Sequence, residues 1–229
     1  MTFSVRQVAT DCVGAAANFS ITRDVFGFAF GSPVGVISTR RQLELASGLA
    51  LDVNLILVGP TQFSNTDFAE ATSALQIMRD IFAAVSLGIR RVNWQQISAQ
   101  DAGAYLVINS GAEAHDLTDD FNGPDGALDV FVVRSILGAD GWSAVSGPCT
   151  KDDKDKMTGS VVSLNGSFQN SGNTFAHEVG HYLGLVHCED DPQCTGTNNF
   201  ILSGSDSNTN VMAHQGQKMR THCYVSDKC

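Results

Sequence analysis

The chain has 229 residues, 43% hydrophobic and 17% charged, which provides enough apolar material for a buried core and too little charge for a disordered chain. Its 14 Lys and Arg against 24 Asp and Glu leave a formal charge of -10, which repels a phosphate backbone and an anionic lipid surface alike, so no nucleic-acid partner is expected. Membrane insertion is not expected either, because Asp52 interrupts the best apolar run, Ala46 to Val58, well short of the about 20 residues of a spanning helix.

In chain order, Met1 to Thr10 lacks the basic flank and apolar core of an export signal, so an exported protein would carry that signal outside this sequence. Residues 1 to 45 form short alternating segments such as Val25 to Phe30, with Gly27, Gly31 and Pro33 between them, a pattern of a hairpin or an extended leader. Leu49 to Val58 is a predicted strand. After Gly59-Pro60, the residues Phe68, Ala71, Leu75, Met78, Ile81 and Phe82 recur at helical spacing over Asp67 to Leu87, with Thr66 or Asp67 as the cap and Gly88 as the stop. Arg90 to Ile97 and Ala104 to Ile108 read as two strands. Ala114 to Asp129 reads as an acidic loop. Its Asp116, Asp119, Asp120, Asp125 and Asp129 offer the oxygen ligands that Ca²⁺ takes, but without EF-hand spacing, and solvated loop charge explains the same residues. Leu128 to Ile136 is a predicted strand, a Gly/Asp-rich loop runs to Gly159, and Ser160 to Leu164 is a short strand. Past the polar stretch Asn165 to Asn173, an apolar helical pattern starts at Phe175. This order of elements implies an α/β layered sheet.

The six cysteines are even in number, and Cys149, Cys188 and Cys194 lie beside polar residues, which favours disulfides in an oxidising, extracellular compartment over six reduced thiols. Spacing suggests Cys188 with Cys194 and Cys223 with Cys229, leaving Cys12 with Cys149, one of about 15 pairings. Asn18-Phe-Ser20 and Asn165-Gly-Ser167 match the glycosylation acceptor pattern of a eukaryotic secretory pathway.

The segment that carries chemistry is His177-Glu178-Val-Gly-His181-Tyr-Leu-Gly184-Leu-Val-His187, of the form H-E-x-x-H-x-x-G-x-x-H. Residues four apart on a helix share a face, so His177 and His181 can aim nitrogens at one Zn²⁺ about 2.0–2.1 Å from each. Glu178 then lies beside the metal without being a ligand, where a carboxylate can hold and deprotonate a water. Gly184 can take a positive φ, stop the helix and let His187 approach from another direction. Three ligands leave one position open, as catalytic zinc requires. Phe175, Val179, Tyr182 and Val186 would form the opposite, packing face of the helix.

This segment resembles the zinc-binding signature of the metzincin clan of metallopeptidases, and Asn208-Thr-Asn-Val-Met212-Ala-His214 resembles the clan's methionine turn. The resemblance implies an α/β (α+β) catalytic domain over residues 49–229: a twisted mixed sheet with an active-site helix, a mostly irregular C-terminal subdomain, and a cleft between upper residues 49–184 and lower residues 185–229. It also implies one catalytic Zn²⁺ above the thioether of Met212. The order of strand, Gly/Ser-rich loop, short strand and signature helix is most similar to the pappalysin-like branch, ulilysin included. His214 stands where several metzincins have a Tyr, so it is either an oxyanion donor or a surface histidine. Residues 1–48 match nothing in the catalytic domain and read as a pro-segment remnant or extra strands. Cys12 or Asp11 of that segment would be candidate blockers of the zinc, but Thr-Asp-Cys-Val-Gly lacks the Arg-Cys-Gly pattern, which favours a disulfide for Cys12.

The implied activity is that of a monomeric zinc-dependent endopeptidase acting on proteins or peptides, with Glu178 as general base. Substrate would add to the strand Leu128 to Ile136, if that strand is at the sheet edge. Gly204 to Asn210 and Gln215 to Arg220 are the candidates for a side-chain pocket. The competing readings are a catalytically silent zinc-containing binding module, a latent zymogen form, and an acidic calcium-binding structural protein.

Overall fold

The computed structural model describes residues 48–123, 126–204 and 208–227, plus the backbone of two short strands before them, β1 (Ala17–Asn18) and β2 (Gln42–Leu43), which pair antiparallel. Val25 to Phe30, Cys12, Asp125 and Cys229 fall outside the described residues.

β3 (Leu49–Val58) is buried almost throughout, and its run LALDVNLILV is accordingly near-continuous in apolar residues rather than alternating, as a strand covered on both faces must be. Ser64 then caps α1 (Asn65–Ala83): the Ser64 N–H donates to Asp67 Oδ2 at 2.6 Å and the Asp67 N–H to Ser64 Oγ at 3.2 Å. The cap is therefore Ser64, not Thr66 or Asp67. β4 (Gly88–Ile97) returns parallel to β3. The expected strand Ala104 to Ile108 is mostly helical turn: α2 (Ala99–Ala102), capped by Ser98, leads through a 3-10 turn to a two-residue strand, β5 (Val107–Ile108).

The first part of the expected acidic loop is a helix, α3 (Gly111–Asp120). Ser110 Oγ accepts the Glu113 N–H at 3.2 Å, and Ala114 and Leu117, three apart, are both fully buried, so a capped amphipathic turn overrides the polar composition. β6 (Leu128–Val133) follows, and the expected strand to Ile136 breaks there; β7 (Ser135–Ile136) pairs with β5 in a separate small sheet. β8 (Gly141–Trp142) lies antiparallel to β9 (Gly159–Ser163). α4 (Phe168–Tyr182) starts well before Phe175, capped by Ser167. After it come α5 (Ala213–Arg220) and β10 (Ser226–Asp227), which pairs antiparallel with the start of β3.

The main sheet is mixed, in the order β10-β3-β6-β9-β8 with β4 on β3. β6 therefore lies inside the sheet between β3 and β9, so the condition for substrate pairing along it, a place at the sheet edge, is not met; among the described residues β8 and β4 are edge strands. Alternation along each strand divides the core. Leu55, Val130 and Val162 pack with α1 and α4, while Ile56, Phe131 and Val161 pack with α3, giving helices on both faces. α4 approaches α1 closely because residue 172 is glycine: a Cβ there would stand 2.5 Å from Ile77 Cβ. Buried Glu70 of α1 holds the start of α4, its Oε1 accepting from the Gly166 N–H at 3.0 Å and from Ser171 Oγ at 2.5 Å.

Among the described residues, two disulfides join Cys188 to Cys194, as expected, and Cys149 to Cys223. The second overturns the expected pairs Cys223 with Cys229 and Cys12 with Cys149. The end of α5 brings Cys223 against the loop that precedes β9, a contact across the fold that spacing in sequence does not encode. No helix among the described residues is long and apolar enough to cross a membrane.

Candidate active site

α4 carries His177, Glu178 and His181, and its end is closed by tertiary donors: the N–H groups of Ser146 and Gly147 reach the carbonyls of His181 and Tyr182 at 3.0 and 2.8 Å. Gly184 takes φ 106°, the Leu185 N–H turns back to the Gly180 carbonyl at 3.0 Å, and the reversed chain presents His187 to the helix. Val186, expected on the packing face, lies past the helix end and is half-buried; Leu183 and Leu185 fill the core instead.

The three imidazoles converge. Nε2 of His181 lies 3.0 Å from that of His177 and 3.2 Å from that of His187, and the His177–His187 separation is 3.3 Å. His177 Nδ1 faces the Phe200 carbonyl at 3.0 Å and His181 Nδ1 the Leu185 carbonyl at 2.8 Å. A carbonyl oxygen only accepts, so Nδ1 carries the proton in both rings and both Nε2 atoms present lone pairs to each other. No hydrogen bond is available between them, and such an arrangement is repulsive unless a cation sits within it. Three nitrogens around tetrahedral zinc stand about 3.3–3.4 Å apart, close to the observed spacing. Burial, and then the His177 ring, push His181 down to about 4, and burial lowers His177 as well, which keeps both rings in the neutral, metal-binding form at neutral pH. Among the described residues, this is the group of His, Cys, Asp and Glu side chains that could hold a metal ion.

Glu178 is buried, and burial followed by the neighbouring charge of Asp140 raises its carboxyl to about 8. Its side chain lies against Gly141 of β8, where a Cβ would stand 2.4 Å from Glu178 Cγ. The carboxyl thus meets an edge strand of the sheet. Nothing in the sequence around Gly141 signals this contact, which the strand order creates.

Met212 is the N-cap of α5, and its N–H donates to Gln215 Oε1 at 2.8 Å. The preceding Asn210 carbonyl accepts the Phe200 N–H at 2.9 Å, which joins the expected methionine turn to the segment that orients His177. His214 Nε2 faces Asp191 Oδ2 at 2.9 Å, so this nitrogen is committed to a carboxylate. Both line a cavity of about 520 Å³ with Val186, Asp190, Gln217 and Lys218 among its walls. Among the described residues of the expected pocket segments, Gln217 and Lys218 line it.

The described acidic residues do not converge on one point. Asp119 faces Lys154 at 3.6 Å and His115 at 3.9 Å, and Asp120 accepts from the Tyr105 hydroxyl at 2.7 Å. Buried Asp129 accepts from Lys151 Nζ at 2.6 Å, Asn54 Nδ2 at 2.7 Å and the Gly123 N–H at 2.7 Å. Asp116 lies on α3, and the described members of the set form no group that could hold a metal.

A doubly covered mixed sheet whose signature segment gathers three imidazoles beside a buried carboxyl defines a metzincin-type metallopeptidase fold. Residues 95–227 match the pattern of Metallo-peptidase family M12B Reprolysin-like, and the chain belongs to that family. Its fold is similar to that of metalloproteinase-II from Bacteroides fragilis, with a TM-score of 0.52 and 17% identity over 77% of this chain and 53% of that one, so the chain spans about half the length of that protein. Archaemetzincin from Methanopyrus kandleri matches at a TM-score of 0.48 and 13% identity, over 77% of this chain and 97% of that one. No curated protein sequence matches the chain.

Proposed function

We propose that this chain is a zinc-dependent endopeptidase, with His177, His181 and His187 as metal ligands and Glu178 as general base. The observation that carries this reading is the convergence of three imidazole Nε2 atoms within 3.3 Å of one another. When bound, zinc supplies Lewis acidity at a position that three imidazoles leave open. Glu178 takes a proton from the attacking water and passes it to the departing amine; burial holds its carboxyl above the ordinary carboxylate range, which makes it a stronger base once ionised. An extended peptide adds to the outer side of β8, the edge strand that touches Glu178, rather than to β6. Met212 supports the site from the turn tied to Phe200, and the cavity between Val186 and Lys218 receives a substrate side chain. Two disulfides support an extracellular location. The finer placement beside the pappalysin-like branch rests on the strand, loop, strand and helix order alone.

Digestion of casein or a peptide library tests this reading. Cleavage is expected to vanish with a chelator and return with zinc, and Glu178→Ala is expected to lose about 10²–10⁴-fold in rate while still binding one zinc per chain. A chain that binds zinc yet cuts no peptide is a silent binding module instead.

A further inference from the structure

Two buried amides tie together the segments that carry the histidine group. Gln215 and Asn199 are 0% and 1% exposed. Gln215 Oε1 accepts from the Met212 N–H at 2.8 Å and from Asn199 Nδ2 at 3.0 Å, and Gln215 Nε2 donates to Asn199 Oδ1 at 3.2 Å and to Cys194 Sγ at 3.7 Å. Asn199 Oδ1 also accepts the Ile201 N–H at 3.1 Å. Each partner leads to a different part of the site. Met212 belongs to the turn before α5; Cys194 is bonded to Cys188, which follows His187 directly. Asn199 begins the turn whose Phe200 carbonyl accepts His177 Nδ1–H, while the Ile201 carbonyl accepts the Cys188 N–H at 3.1 Å.

We infer that Gln215, with Asn199 as its counterpart, is a positioning residue for the metal, fixing the ring of His177 and the backbone beside His187 without touching either histidine. Both amides lie out of water, so removing one leaves the donors and acceptors of the other unsatisfied, and the turns that carry them must move to find partners. Those same turns hold the imidazoles. The inference rests on the reading of the three histidines as zinc ligands.

The test uses the full chain with zinc, and with cobalt(II) as a spectroscopic substitute. Gln215→Met keeps the volume and removes the amide. It is expected to weaken zinc binding, measured by chelator competition, about 10–100-fold, and to shift the visible absorption bands of the cobalt form. Ser64→Ala, which removes the cap of α1, serves as the control: a lower melting temperature with parental zinc affinity and parental cobalt bands. If Gln215→Met behaves like that control, the positioning role is overturned. Should Gln215→Met fail to fold, Gln215→Glu decides, since it retains the oxygen facing Met212 and replaces the Nε2 donors with an oxygen that Asn199 Oδ1 repels; weakened zinc binding supports the role and parental binding overturns it. A parental chain that binds neither ion overturns the metal-site reading itself, a failure distinct from that of Gln215 alone.

Discussion

Glu178 occupies the space that a side chain at position 141 would need. Gly141 is not among the residues with positive φ, so it is glycine for room rather than for conformation. Gly141→Ala puts a methyl group 2.4 Å from Glu178 Cγ, and because Glu178 is buried, its carboxyl must turn away from where it rests. A displacement of about 1 Å at a reacting group costs on the order of 10²-fold in rate, so kcat/KM for peptide cleavage is expected to fall by about that factor with zinc stoichiometry unchanged. Undiminished cleavage would mean that the carboxyl does its work elsewhere. The histidines and Glu178 were legible in the sequence because spacing along one helix is local geometry. Gly141 was not, since its contact with Glu178 exists only once β8 is placed at the sheet edge. His214 was legible as a residue but not in its partner, for nothing local brings Asp191 to it.

The elements follow the same rule. β3, α1, β4 and β9 could be read because apolar periodicity is written in consecutive residues, whereas α3 was hidden by its acids although Ser110, Glu113, Ala114 and Leu117 hold a cap and a buried stripe. The first half of α4 was hidden for another reason: Asn170 to Asn173 look like loop, yet Ser171, Gly172 and Asn173 are buried because small residues are what the close approach to α1 admits. That approach can be measured. Gly172→Ala places a Cβ 2.5 Å from Ile77 Cβ, between two helices fixed at that end by Glu70, and a branched side chain has no flexible tip to withdraw. Overpacking of this kind costs about 1–3 kcal/mol, partly offset by the better helix propensity of Ala, so the urea midpoint is expected to fall. An unchanged or raised midpoint would show that α1 and α4 separate without cost.

Across the molecule, the Cys149–Cys223 disulfide closes a loop of sequence separation 74 that contains β9, α4, the histidine group and α5. His222 sits at its closure. Nε2–H donates to the Gly147 carbonyl at 3.0 Å, and Nδ1 accepts the Tyr224 N–H at 3.3 Å, so the ring is held as the neutral Nε2–H tautomer between Tyr182 and a stacked Tyr224. A second proton on Nδ1 would face an N–H donor, and burial already lowers the group from its ordinary 6.5. The sign follows from proton binding. Below about 6.5 the unfolded chain takes up this proton before the folded one does, so the contribution of His222 to stability is complete above that pH and is lost as pH falls toward the folded value. The urea midpoint of the zinc-loaded chain is therefore expected to decline from about pH 6.5 downward, before most carboxylates titrate. His222→Gln retains an N–H for Gly147 and cannot titrate, so it should flatten that first part of the decline while the steeper loss at lower pH remains. Parallel curves for the two proteins through this window would place the acid sensitivity in other groups and remove His222 from the account.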